Sequence, residues 1–442
     1  MDSILAERSK YFSKMLVVSH AKVGPLLVSR GEKEFLYDEN GQEYLDTRNN
    51  VPILGHSDAR VVEAVHLQMS EINTNTRYLN PALTDAARTV SSILPKKLCK
   101  FFFVNSGSEA NDLALRLAQY HTNRTRIVAQ TNAYHGNTAA VMAVSQSKYR
   151  APFCVQPDWV SLVHCPDLVG GPYTTVSEYL DEIKQVCETH PDEIAGIIIE
   201  SIVSVGGGVF QPKGYFSTAF STIRQAGGVC IADETQVGLG RLGVWWGFEL
   251  DQTDDAVPDI LTMGKQLGNG FPVAAVVTTE EICNSFDNAG IEFFSTYGGS
   301  TVSCAAATST VKAILQDNLV ARAKEMGDYL LSQLQLSLGH FMPHIIKNIR
   351  GVGLYLAIHY TNGKIATNIQ NTLFADFHIL STLDGPLANV MIVKPPLCIT
   401  KESCDRFVGA LSSILEQIQL YYSSIVSSTL INNTKLSDIT RV

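Results

Sequence analysis

FFFVNSGSEANDLALRLAQ, residues 101–119, passes from three phenylalanines and a valine through Ser-Gly-Ser into a stretch with helical spacing of apolar residues. An apolar run of strand length, a tight Ser/Gly turn and a helix make up the repeating unit of an α/β fold. Further strand candidates follow: RIVAQ (126–130), IAGIIIE (194–200), GVCIAD (228–233), ILTMG (260–264) and PVAAVVT (272–278). Helical patterns such as 109–120 and 175–187 lie between them. Near-continuous apolar strands alternating with helices predict a mainly parallel sheet covered on both faces.

Outside that region the texture changes. Upstream, PLLVSR, EFLYD and EYLDT (within 25–47) read as a small antiparallel meander. Beyond about residue 315 a helix at roughly 317–337 leads to the strand-like IRGVGLYLAIHY, then VMIVKPP, then an amphipathic helix over 401–422. The expected organisation is a large domain at 56–315 and a smaller α+β domain, built from segments 1–55 and 316–442. The tail after Ser424 is rich in Ser, Thr and Asn and is expected to be loose.

The 442 residues are 45% hydrophobic and 17% charged, enough for a large core. A net charge of −9 does not suggest a nucleic-acid or anionic-membrane surface, although a small anionic substrate needs only a few local cations. Nine scattered cysteines without a C-x-x-C pair read as buried thiols in a reducing compartment rather than disulfides or a metal site. The N-terminus, MDSILAERSKYFSK, lacks a signal-peptide core, and no apolar run is long enough to span a bilayer. A cytoplasmic protein is expected, with the mitochondrial matrix left open.

Four features point to chemistry. Ser106, Gly107 and Ser108 lie at a helix start, where free N–H groups favour a phosphate; the plainer reading is an S-x-x-E cap formed with Glu109. Asp233 ends an apolar strand, where open α/β sheets place ligands. The same stretch contains G-x-G-x-x-G (Gly238, Gly240, Gly243), but no helix opens after it, which counts against a dinucleotide. Tyr134, in TNAYHGNT (131–138), follows another strand and is either ordinary packing or a stacking face. In DILTMGKQLGNGFP (259–272), Lys265 sits among Gly264, Gly268 and Gly270, where a lysine is either a snorkelling surface group or a nucleophile. Together they suit pyridoxal 5'-phosphate: helix N–H groups for its phosphate, a stacking ring, an acid for its pyridine nitrogen and an amine for its aldehyde.

The markers NSGSEAND, AYHG, ADETQVGLGRLG, TMGKQLGNGFPVAAV and TYGGS, in this order over about residues 15–420, resemble the class III aminotransferases. That resemblance implies the fold-type-I architecture, with a large domain on a mainly parallel seven-stranded sheet. It implies that Gly107 and Ser108 hold the cofactor phosphate and that Tyr134 stacks on the ring. Asp233 would pair with the ring nitrogen, Gln236 would lie near the ring hydroxyl, and Lys265 would bond the aldehyde and act as base. Thr296 would reach the neighbouring subunit's phosphate, implying a homodimer, with a tetramer left open.

Within the family, DENGQEYLD, NNV (49–51), NTNTRYL (73–79) and IVKPPLCIT (392–400) resemble phospholyases acting on O-phosphoethanolamine or 5-phosphohydroxylysine. Asn50, Arg77, Lys148 and Glu200 are then the expected substrate contacts, with Arg77 and Lys148 on the phosphate. Relatives that use keto acids carry an arginine where Ile392 stands, and a gating glutamate where Val205 stands. Departures from the phospholyases also occur: Ile392 replaces their lysine, GHSDA (55–59) replaces GH-x-HP, and SQSKY (145–149) replaces S-P-Y-K-F. An amino-transferring enzyme of the alanine–glyoxylate or omega-amine type is the alternative.

Overall fold

A computed structural model describes residues 2–21, 23–148, 156–290 and 292–431. Its centre is a seven-stranded sheet in the order Lys100–Val104, Ala274–Thr278, Ile260–Met263, Val229–Asp233, Ile194–Glu200, Arg126–Gln130, Val160–Val163. The strands run one way except Ala274–Thr278, which is antiparallel to both neighbours. The chain reaches it from Met263 through a short loop, and an antiparallel neighbour needs no crossover helix. Val160–Val163 was not expected: it has four residues, lies on the sheet edge and leaves Ser161 and Leu162 half-exposed.

Helix Gly107–Thr122 lies on one face of the sheet, with Leu113, Ala114, Leu117 and Ala118 buried against strands Ile260–Met263 and Ala274–Thr278. Each fully buried leucine contributes about 1.5–3 kcal/mol. Helices Val176–Thr189 and Tyr215–Gln225 cover the other face. The strand ends are thereby fixed from both sides, and Glu200, Asp233 and the turn into Lys265 emerge along one rim.

A second sheet pairs Ile346–Val352, Tyr355–Tyr360, Val390–Val393 and Thr382–Asp384 in that order, all antiparallel. IRGVGLYLAIHY is therefore a hairpin rather than one strand. Its turn holds Gly353 at φ 54°, where a Cβ would fall 2.5 Å from the Arg241 carbonyl. The N-terminal meander (Val28–Glu32, Phe35–Asp38, Glu43–Asp46) is completed by Ile379–Leu380, which runs parallel to its last strand. The helix expected at roughly 317–337 is Leu319–Leu338; another helix, Thr301–Gln316, precedes it, and the two are separated at Asn318 with φ 50°. The last helix, Lys401–Ile431, outruns its expected end, and the tail from 432 lies outside the described residues.

Arg241, fully buried, joins these parts. Its guanidinium donates to the carbonyls of Leu354 (3.0 Å), Pro395 (2.7 Å) and Asn50 (3.4 Å). Among the described residues no carboxylate pairs with it, and burial pulls its pKa down to about 9.

Gly327, in helix Leu319–Leu338, lies on the hairpin turn so closely that a Cβ would sit 2.0 Å from the Gly353 carbonyl oxygen. Gly327→Ala should destabilise by about 1–3 kcal/mol through overpacking, read as a lowered Tm. Gly409→Ala, in helix Lys401–Ile431 with nothing within 4 Å, should leave Tm unchanged or raise it slightly.

Candidate active site

Asp233 is 3% exposed at the end of its strand. Its Oδ2 accepts from Asn111 Nδ2 (2.7 Å) and from His135 Nδ1 (2.9 Å), and its Oδ1 from the Thr235 N–H (3.0 Å). Burial raises the Asp233 pKa, but the bonds from His135 and Thr235 outweigh it and hold the carboxyl below its ordinary value. The neighbouring strand places Glu200 directly across from Asp233. Glu200 accepts the Tyr134 N–H at 2.8 Å, and burial, reinforced by the Asp233 charge and opposed by His135, pushes its pKa up to about 7.

Lys265 opens a short 3₁₀ turn with φ 41°, a left-handed backbone unusual for a side-chain-bearing residue and typical of functional sites. Solvent reaches its side chain along the cleft, yet protein surrounds it on a wider scale; burial lowers its pKa, with Asp233, Glu200 and Asp384 acting in opposition. Its Nζ donates to Gln236 Oε1 at 2.6 Å. Gln236 is held in turn: Asn50 Nδ2 donates to its Oε1 (3.2 Å) and its carbonyl (2.9 Å), and its Nε2 donates to Ser204 Oγ (2.7 Å). Tyr355, from the second sheet, donates to the same Ser204 Oγ at 2.6 Å.

Ser106 caps helix Gly107–Thr122 by accepting the Glu109 N–H, while the Glu109 carboxylate takes the Asn105 N–H rather than the cap's own. The first-turn N–H groups of Gly107 and Ser108 have no acceptor inside the helix, as at any helix start. Glycines keep the approach open: a Cβ at Gly107 would meet Thr235 Cγ2 at 2.7 Å, and one at Gly136 would meet Ser108 Oγ at 2.5 Å. Among the described residues the Thr235 hydroxyl beside Gly107 is buried with no geometric hydrogen bond. Tyr134 stands half-buried between Glu200 and Gly136.

These groups suit the two ends of one molecule. Unused helix N–H groups and the Thr235 hydroxyl can take a phosphate, and a carboxylate held ionised can keep a basic ring protonated. Thr296 and Arg77 stand elsewhere. Both are exposed, Arg77 with its guanidinium 3.8 Å over the Phe294 ring and 3.8 Å from Glu292. Lys148 ends the 3₁₀ turn Gln146–Lys148, and its side chain lies outside the described residues. Sequence reasoning missed Asn111, His135 and Ser204. The first two lie inside motifs already singled out, where a polar residue amid apolar neighbours was the available signal.

A phosphate seat and a ring acid serving one reactive amine define a pyridoxal-phosphate enzyme of fold type I. The chain belongs to the class III aminotransferases, whose profile matches residues 17–415. It is 40% identical over 405 residues to an alanine–glyoxylate aminotransferase 2-like protein of Drosophila melanogaster, covering 87% of this chain and 81% of that one. It is 37% identical over 419 residues to ethanolamine-phosphate phospho-lyase homolog 1 of Caenorhabditis elegans, covering 88% of each. A solved phospholyase from Arthrobacter, in complex with phosphoethanolamine, superposes with a TM-score of 0.84 at 30% identity, covering 93% of this chain and 99% of that one. Among the described residues no helix is long and apolar enough to cross a membrane.

Glu234, beside Asp233, yields a pH prediction. Its Oε1 accepts from Ser201 Oγ and the Phe248 N–H, its Oε2 is buried without a hydrogen bond among the described residues, and burial raises its pKa to about 7. Because the unfolded carboxyl ionises near 4.5, the folded state loses stability as pH rises from 4.5 to 7, by at most about 3 kcal/mol. A glutamine resembles the protonated acid. Glu234→Gln should therefore match wild type in Tm near pH 4.5 and exceed it at pH 8; equal Tm at both pH values would refute the assignment.

Proposed function

We propose that this enzyme is a phospho-lyase that eliminates phosphate from a phosphorylated amine, O-phosphoethanolamine being the simplest. The observation that carries the reading is Ile392. It is fully buried in strand Val390–Val393 and packs with Ile202, Val237, Leu242 and Tyr355 under the loop at Gly208. At the position where keto-acid-using relatives hold a carboxylate with arginine, this wall is apolar. Val205, at the gating position, joins the loop Gly385 through its backbone carbonyl (3.0 Å). A phosphoamine without a carboxylate requires neither partner. The phospholyase names among the relatives support the same reading.

Pyridoxal phosphate, when bound, accepts the electrons released at the carbon next to nitrogen. Gly107, Ser108 and Thr235 would hold its phosphate, Tyr134 would cover its ring, and Asp233 would keep the ring nitrogen protonated. Gln236 would orient the ring hydroxyl, and Lys265 would hold the aldehyde. The Lys265 amine, its pKa lowered by burial, takes a proton from the carbon bearing nitrogen. The adjacent C–O bond breaks, its electron pair leaving with the phosphate oxygen. The vinylamine released adds water and yields acetaldehyde and ammonia. Asn50 and Glu200 border the substrate from the Gln236 and Tyr134 sides.

Thr296 and Arg77 serve the partner's site in a homodimer. Segment 72–76 packs on 298–301, and exposed apolar side chains crowd there: Met69, Ile72, Tyr78, Leu79 and Tyr297, with Leu79 fully exposed. A second copy of this chain covers that face.

Incubated with O-phosphoethanolamine, the holoenzyme should release phosphate and acetaldehyde in equal amounts, and Lys265→Ala should lose about 1,000-fold or more in turnover. Amino transfer from alanine to glyoxylate without phosphate release would replace the lyase by the aminotransferase reading. Sedimentation under assay conditions should find activity with the dimer, and an active monomer would refute the role of Thr296.

A further inference from the structure

Alongside the site, segment 18–20, the loop after strand Glu43–Asp46 and the residue following strand Val390–Val393 enclose a cavity of about 340 Å³. Ser19, His20, Arg48, Asn49, Thr382 and Lys394 line it. Lys394 is placed by its own N–H, which donates to the Thr47 carbonyl at 2.8 Å. The residue is only 8% exposed, and among the described residues its ammonium has no hydrogen bond and no ion pair. A lysine this buried normally has a compensating anion, because removing an ammonium from water is costly.

The rest of the lining leaves that charge unanswered. Arg48 donates to Ser19 Oγ at 3.0 Å and has no carboxylate partner among the described residues. Asp46, the nearby acid, is committed: its Oδ1 takes the N–H groups of Arg48 and Asn49, and its Oδ2 meets His56 Nε2 at 2.8 Å. His20 is held neutral at neutral pH, burial and then Arg48 pulling its pKa down to about 4. Burial likewise pulls Lys394 down to about 8, with Asp384 in opposition and Lys265, Arg241 and Arg48 reinforcing it. Asn49 lines the cavity, and the next residue, Asn50, bonds the same Gln236 oxygen that takes Lys265 Nζ, which sets the cavity beside the reacting amine.

We propose that Lys394 and Arg48 of this chain seat the substrate's phosphate, a dianionic phosphate monoester, in the cavity beside Lys265. The inference rests on the phospho-lyase reading. Two cations on adjoining walls, one with no hydrogen bond or ion pair among the described residues, suit a group that carries two negative charges and several acceptor oxygens. The aminoethyl end of the substrate then extends toward Lys265, and the same cations offset the charge that collects on the departing phosphate.

The test uses the holoenzyme and two probes, inorganic phosphate by calorimetry and O-phosphoethanolamine by steady-state kinetics. Lys394→Met should weaken phosphate binding and raise KM by about 10- to 100-fold, the range expected for a lost charge-assisted contact. Lys394→Arg should restore most of both. Tm of Lys394→Met should equal or exceed that of wild type, because an unpaired buried ammonium is gone. Should that variant fail to fold, Arg48→Gln reads the same seat and should show the same loss of phosphate affinity. Wild-type phosphate affinity in Lys394→Met, or in Arg48→Gln when it stands in, overturns the seat and leaves the lyase reading intact. Lys394-dependent phosphate binding without phosphate release from O-phosphoethanolamine overturns the lyase reading and keeps the seat.

Discussion

A carboxylate cannot stay ionised inside a protein unless other groups supply what water would have supplied, and Asp233 imposes that condition on this fold. Its donors come from separate parts of the chain: Asn111 from the first large helix, His135 from the turn after the next strand, and the Thr235 N–H beyond its own strand end. Each must arrive within hydrogen-bonding distance of one group. The helix is consequently locked over the sheet in a single register, with Asn111 also accepting from Thr262 Oγ1 at 2.6 Å. The condition extends sideways to Glu200, one strand over, whose pKa rises partly because Asp233 holds the charge. Two acids at one rim thus have opposite settings, and the difference comes from their hydrogen-bond donors.

Gln236 performs a comparable task for the amine. Its side-chain oxygen is shared by Lys265 and Asn50, and its nitrogen reaches Ser204, where the Tyr355 hydroxyl also converges. The N-terminal segment, the central sheet and the second sheet therefore meet within a few hydrogen bonds of Lys265. Arg241 reinforces the junction by binding backbone carbonyls on each side, including that of Asn50 itself. Movement of one sheet relative to the other would be felt at the amine.

Much of this was legible in the sequence wherever a strand ended in a turn of unusual composition. Asp233, Lys265 and the Ser-Gly-Ser helix start all carry that signature, and each stands at the rim it implied. The reversed strand Ala274–Thr278 was not legible, since a strand buried on both faces reads the same in either direction. IRGVGLYLAIHY concealed its turn because Val352, Leu354 and Tyr355 beside Gly353 suit a strand, and the contact demanding a glycine there comes from Arg241, far away in sequence. Asn111 and His135 could be seen but not interpreted: their partner lies 122 and 98 residues away. Lys394 was hidden for the opposite reason, a lysine in a short motif being by default a surface residue.

The pairing of Thr47 with Leu380, 333 residues apart, also orders events during synthesis. At roughly 5–20 residues per second, the N-terminal meander waits on the order of 20–70 s before the strand that completes its sheet exists. The central sheet, closed by residue 278, is finished well before then. Throughout that interval the strand Glu43–Asp46 is a bare edge capable of pairing with any other nascent chain. The meander is densely charged along its length, with Arg30, Glu32, Lys33, Asp38, Glu39 and Glu43. Those side chains make the waiting edge a poor template for a stranger, and they protect the newborn chain during the interval before its own C-terminal third arrives.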